Sequence, residues 1–230
     1  MTMQVRQLPL DLGHRPARGR EDFLVAPSNA DAIAWLDRWP DWPGPSLAIY
    51  GPAGCGKSHL AEVWRTRSGA AFVSTEQVAT MSPIRILEHG DCCIVEDADR
   101  GVDAEALLHL YNLVAERRGS ILLTGRTAPA RWAVGLADLA SRLAATPAVP
   151  VQAPDDALMS AVLIKLFADR QITPPPEVVT FLVPRMERSF QAARTLVDTT
   201  DRTALAGKRQ VTVPLVRDVL AKINDDSEGT

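Results

Sequence analysis

Gly51-Pro52-Ala53-Gly54-Cys55-Gly56-Lys57-Ser58 matches the phosphate-loop pattern G-x-x-x-x-G-K-[ST] at every fixed position. Glycines let such a loop curl so that several backbone N–H groups face phosphate oxygens, and the helix that follows adds the positive end of its dipole. Lys57 is placed to reach the β- and γ-phosphates, the Ser58 hydroxyl to ligate Mg²⁺, and His59 to continue the loop into the helix. Cys92-Cys93-Ile94-Val95-Glu96-Asp97 supplies the second acidic element, an apolar run ending in two carboxylates. Glu96 is the metal-site acid, acting through the metal's water, and Asp97 the residue that orients the attacking water. Such sites usually carry Asp where this chain has Glu96. The extra methylene shifts the carboxylate, and displacements of that size cost rate, so weak intrinsic hydrolysis is expected. A third apolar run ends in Thr124-Gly125-Arg126, and its tip makes Thr124 a candidate γ-phosphate sensor, with Arg126 second.

These groups need a scaffold. Leu47–Tyr50 precedes the loop, and His59–Arg67 reads as the helix after it. Further strands are expected at Ala71–Ser74, Cys92–Glu96 and Ser120–Thr124, with a weaker fifth at Ala148–Val151. Between the third and fourth, Leu107, Leu110, Tyr111 and Val114 recur on one helical face. An earlier helix is expected near Ser28, with Asp31 as its capping-box acid. Apolar strands alternating with helices argue for an α/β fold with a parallel sheet covered on both faces. After Pro154 the pattern becomes all helical, with expected helices at Asp155–Asp169, Glu177–Val183, Glu187–Thr199 and Pro214–Ile223. The expected organisation is a flexible leader over 1–20, an α/β nucleotide domain over 21–152, a helical lid over 153–224 and a frayed acidic tail over 225–230.

Composition bounds the rest. The chain has 230 residues, 46% of them hydrophobic, and a net charge of −3. That is enough apolar material for a real core, and too little positive charge for a protein built to coat nucleic acid. Three cysteines without zinc spacing read as reduced thiols of a cytoplasmic protein. No apolar run approaches the ~18 residues of a membrane span.

The whole constellation resembles the AAA+ family: phosphate loop, acidic strand end, polar strand tip, Ser141-Arg142 before the last strand, and Arg188 opening a lid helix. Within it, Asp22-Phe23-Leu24-Val25-Ala26-Pro27-Ser28-Asn29 resembles the start of the DnaA nucleotide domain, which implies that Phe23, Val25 and Asn29 contact the base. The resemblance spans about residues 20–223 and stops before the helix-turn-helix domain that follows in DnaA, so no sequence-specific DNA binding is implied. A module of this kind is similar to the Hda-type regulators. Gln7-Leu8-Pro9-Leu10-Asp11-Leu12 resembles the peptide such proteins insert into the polymerase sliding clamp, with Gln7 for hydrogen bonds and Leu8, Leu10 and Leu12 as the apolar part.

The resemblance implies a chain that holds ADP or ATP with Mg²⁺, binds the clamp and promotes hydrolysis of the ATP on DnaA. Arg142 matches the arginine finger and Arg188 the second-sensor arginine. Self-association, as a homodimer or larger, is also implied. Asp138 stands where some initiators carry a further arginine, which leaves one finger. The alternatives are a helicase loader and a truncated initiator module.

Overall fold

The computed structural model describes residues 25–228. Its sheet has five parallel strands, β1 (Ser46–Tyr50), β2 (Ala71–Val73), β3 (Cys92–Val95), β4 (Ser120–Gly125) and β5 (Ala148–Pro150), in the order β2-β3-β4-β1-β5. β3 and β4 are buried from end to end, as strands covered on both faces must be. Successive residues point to opposite faces. Cys93, Val95, Ile121 and Leu123 therefore pack with Leu107 and Leu110 of helix α5 (Ala104–Glu116), while Cys92, Ile94 and Leu122 pack with Leu60 and Trp64 of helix α2 (Lys57–Ser68). The adjacent cysteines thus sit in different layers, and all three cysteines are free.

Four further helices belong to this layer structure: α1 (Ala30–Asp37), α3 (Thr75–Thr80), α4 (Pro83–Ile86) and α6 (Ala137–Ala145). Helix α1 departs from expectation. Its N-cap is Asn29, not Ser28, and no side chain caps it. Asn29 Oδ1 instead accepts from the Ala26 N–H at 2.9 Å, and the Ser28 carbonyl accepts from Gln152 N–H at 3.0 Å. Those two bonds hold the turn before α1 and tie it to Gln152, just beyond β5. Helices α3 and α4 were not expected. Their signals are local: Ser74 and Gln77 close a capping box, and Ser82 caps a turn with Pro83 in its first position.

The lid comprises α7 (Asp156–Ala168), α8 (Pro176–Leu182), α9 (Phe190–Gly207) and α10 (Val213–Glu228), joined to the sheet by 151–155. It has its own core, built around Met159, Leu163, Phe167, Leu182, Leu196 and Val216. Helix α10 continues to Glu228, so residues 225–228, expected to fray, are helical. Among the described residues, no helix is long and apolar enough to cross a membrane.

Candidate functional site

The phosphate loop leaves β1 between β4 and β5 and turns into α2. Gly54 and Gly56 take left-handed φ values of 72° and 102°, which side-chain-bearing residues avoid. Gly56 is the N-cap of α2, so the free N–H groups of the first helical turn open into the loop. Lys57 is only 8% exposed, and its Nζ donates to the carbonyls of Gly51 and Pro52, both at 2.9 Å. Among the described residues no carboxylate pairs with it. A buried ammonium without an anion is costly, and a phosphate is the partner this loop offers. Burial pushes the Cys55 thiol up, against a smaller downward pull from Lys57, so the thiol of the loop stays protonated and inert at neutral pH.

At the end of β3, Asp97 has a left-handed φ of 46°. The turn is held from β4: Asp97 N–H donates to Thr124 Oγ1 at 3.0 Å, and Ala98 N–H to the Thr124 carbonyl at 2.8 Å. Thr124 is 1% exposed. Its hydroxyl accepts from Asp97, which leaves its own proton to donate. The Asp97 carboxylate faces Arg100 Nη1 at 3.5 Å. Arg126 N–H donates to Asp99 Oδ2 at 2.7 Å, which fixes the exit of β4. Glu96 has a buried carboxylate oxygen, Oε1, with no hydrogen-bond partner. A hydrated divalent cation shared with the Ser58 hydroxyl would satisfy that oxygen. Mg²⁺ takes few protein ligands and keeps water and phosphate oxygens as the rest, so the donor set fits it.

Two adjoining cavities lie between the loop and the lid. One, of about 360 Å³, is lined by Lys57, Ser58, Asp97, Arg126 and Arg194 among others. The second, of about 590 Å³, runs from Asn29, Cys55 and His59 to Lys165, Phe190 and Arg194 of the lid. The lid meets the loop directly. Phe190 N–H donates to the Gly54 carbonyl at 3.2 Å, and the Phe190 ring lies against Gly56. Asn29, Gly56, Lys57, Ser58 and His59 thus converge with Asp97, while Thr124 lines neither cavity and reaches them only through its bond to the Asp97 N–H, and Val25 lies exposed at the edge of the described residues. Phe23 and the peptide bearing Gln7, Leu8, Leu10 and Leu12 lie outside them.

Arg188 does not open a helix. It lies before Ser189, the N-cap of α9, and its Nη2 pairs with Asp156 Oδ1 of α7 at 2.8 Å. Neither cavity includes it. Arg194 lines both cavities and has no ion pair among the described residues. Its spacing of four from Phe190 places both on one helical face. Arg142 lies in the last turn of α6, ahead of β5. Its guanidinium is one-third exposed, pairs with Asp138 at 3.2 Å and stands 5.5 Å from the Tyr111 ring centroid.

Residues 156–220 match the family model described as "Hda, lid domain". Among solved structures, domain III of the Thermotoga maritima replication initiation protein DnaA aligns with a TM-score of 0.76 at 17% identity, covering 87% of this chain and 94% of that one. AMPPCP-bound DnaA from Aquifex aeolicus aligns with a TM-score of 0.68 at 14% identity over 88% of this chain and 68% of its own. A Thermotoga maritima RuvB mutant gives 0.64 at 15% identity, over 88% and 70%. Identities this low speak for the fold alone; the chain has the AAA+ fold of these DnaA and RuvB structures, with a lid similar to that of Hda over residues 156–220.

Proposed function

We propose that this chain is a nucleotide-bound regulator of replication initiation that binds the sliding clamp and promotes hydrolysis of the ATP on DnaA. The observation that carries the reading is the Hda-type lid on a DnaA-type core, with Arg142 on a solvent-facing turn of α6. The chain's own nucleotide, ADP or ATP, sits between the phosphate loop and the lid. Loop N–H groups and Lys57 take the phosphates, and Ser58 and Glu96 hold Mg²⁺. When bound, that ion neutralises phosphate charge. Glu96 in place of aspartate, and an Asp97 carboxylate already facing Arg100, suit slow turnover of the resident nucleotide. Arg142 acts on a different nucleotide: it enters the partner's site and balances charge on the transferring phosphoryl group.

Arg194 is the lid arginine that reads the resident phosphates in this proposal, with Arg188 as a brace within the lid. A hydrogen bond to a charged group contributes about 1.5–3 kcal/mol. Arg194→Ala should therefore weaken ADP and ATP binding about ten- to hundredfold in calorimetric titration, and Arg188→Ala by less than about threefold. The reverse ranking would return the sensor role to Arg188.

Clamp binding rests on the leader peptide. Gln7→Ala should abolish association with the clamp in surface plasmon resonance while nucleotide affinity stays unchanged. A chain lacking residues 1–20 that still binds the clamp would remove this part of the proposal.

A further inference from the structure

Arg142 is tied down at both ends. At the side chain, Nε lies 3.2 Å from Asp138 Oδ1 and Nη2 lies 3.4 Å from Oδ2, so the carboxylate takes the guanidinium side-on. The Cζ atom lies over the Tyr111 ring at 5.5 Å. At the backbone, the Arg142 carbonyl accepts from Thr146 Oγ1 at 2.9 Å. Thr146 Oγ1 in turn lies 2.9 Å from Ser46 Oγ, and Ser46 Oγ lies 2.9 Å from Tyr111 Oη. Ser46, Thr146 and Tyr111 are all buried.

Proton counting sets the direction of this chain. Each hydroxyl has one proton. Thr146 spends its proton on the Arg142 carbonyl, so Ser46 must donate to Thr146. Ser46 is then committed, so Tyr111 must donate to Ser46. The donors run one way, from Tyr111 through Ser46 and Thr146 to the Arg142 carbonyl, and the ring that starts the chain lies beneath the Arg142 guanidinium. Every hydroxyl in this buried circuit is satisfied, and a fully satisfied buried polar network holds one geometry.

The side-on carboxylate uses two of the five guanidinium N–H groups. The two on Nη1 and one on Nη2 have no partner among the described residues. A side chain held on three sides with three donors unspent is prepared for an anion that arrives from outside the chain.

We propose that Asp138 and Tyr111 are positioning residues for Arg142: they hold its guanidinium in one pose on α6 so that its free donors meet the partner's phosphate without first being ordered. This rests on the finger role proposed above for Arg142. Asp138 supplies the side-on contact, Tyr111 the cation–π contact, and Ser46 and Thr146 fix the ring relative to the Arg142 backbone. An exposed pair of this kind is weak as a stabiliser of the fold. Its value lies in orientation, where small displacements carry large rate costs.

The test uses the full-length chain with clamp-loaded DNA and DnaA preloaded with ATP. Asp138→Ala should lower the stimulated hydrolysis rate about fivefold, and Asp138→Glu, which still spans the i,i+4 spacing, should restore it to within about twofold. Thermal midpoints of all three proteins should agree. Because Tyr111 is buried, Tyr111→Phe is the variant to use there; it keeps the ring, breaks the donor chain at its head and should cost about twofold. Arg142 is followed directly by its ¹⁵Nε resonance, assigned by its loss in Arg142→Ala. Its N–H exchange should be slow in the wild type, faster in Asp138→Ala and slow again in Asp138→Glu. Wild-type rates and unchanged exchange in Asp138→Ala would overturn the positioning role and leave the finger intact. Wild-type stimulation by Arg142→Ala would overturn the finger, and the positioning role with it.

Discussion

Arg142→Ala should leave nucleotide binding, clamp binding and fold unchanged and reduce stimulated hydrolysis of DnaA-bound ATP by about 10³-fold or more. The asymmetry between the two effects follows from where the side chain sits. Within its own chain, Arg142 makes one exposed ion pair and one cation–π contact, together about 1 kcal/mol. In the partner's site the same guanidinium would stand against charge developing on phosphoryl oxygens, with water excluded, where a fixed donor counts for far more than in solvent. Arg142→Lys should recover little of the rate. An ammonium keeps the charge but lacks the planar fork that Asp138 grips and the phosphate receives. Single-turnover hydrolysis on preloaded DnaA reads the effect without interference from the chain's own nucleotide. Stimulation that persists in both variants, with the clamp bound, would sink the regulatory reading and favour a helicase loader.

How much of this was legible in advance depended on how far the information lay from the residue concerned. The phosphate loop, the acidic end of β3 and the tip of β4 are local patterns, and each strand is found within about two residues of its expected bounds because its flanking signals are adjacent in the chain. The face of α5 was read from Leu107, Leu110, Tyr111 and Val114, all four of which are buried. Helices α3 and α4 also had local signals in Ser74, Gln77, Ser82 and Pro83, but they are too short for periodicity to reveal.

The lid arginines show the opposite case. Arg188 and Arg194 lie six residues apart, and only the docking of α9 on Gly54 decides which of them faces the phosphate loop. That contact joins positions far apart in sequence and leaves no repeat or motif behind. Asp138 likewise looked like a missing arginine in the sequence. In the fold it is the residue that grips Arg142. The bond from the Asp97 N–H to the Thr124 hydroxyl is a third such link, across the parallel pairing of β3 and β4.

Gly54→Ala should weaken nucleotide binding about a hundredfold or more, through the lid as well as through the loop. Gly54 has φ +72°, where an L-residue pays about 1–2 kcal/mol. The larger obstacle is spatial. A Cβ at this position would lie 2.2 Å from Ser189 Cβ and 3.3 Å from Ser189 Cα, and a backbone-anchored neighbour cannot swing aside. One of two things must then move. If the loop yields, its N–H groups lose their alignment on the phosphates. If α9 yields, the Phe190 bond to the Gly54 carbonyl breaks and Arg194 withdraws from the cavity. Gly44→Ala is the control, since nothing lies within 4 Å of a Cβ there, and it should bind nucleotide like the wild type.

The two routes are separated by a second substitution. Ser189→Gly removes the opposing Cβ at little cost to the α9 cap, because glycine is tolerated at N-caps within a few tenths of a kcal/mol of serine. If the lid contact dominates, Gly54→Ala with Ser189→Gly should recover most of the lost affinity, leaving only the backbone cost, a residual of about tenfold. Equal affinity in the single and double variants would mean that the left-handed turn of the loop sets binding by itself and that the lid rests on Gly54 without consequence for the nucleotide.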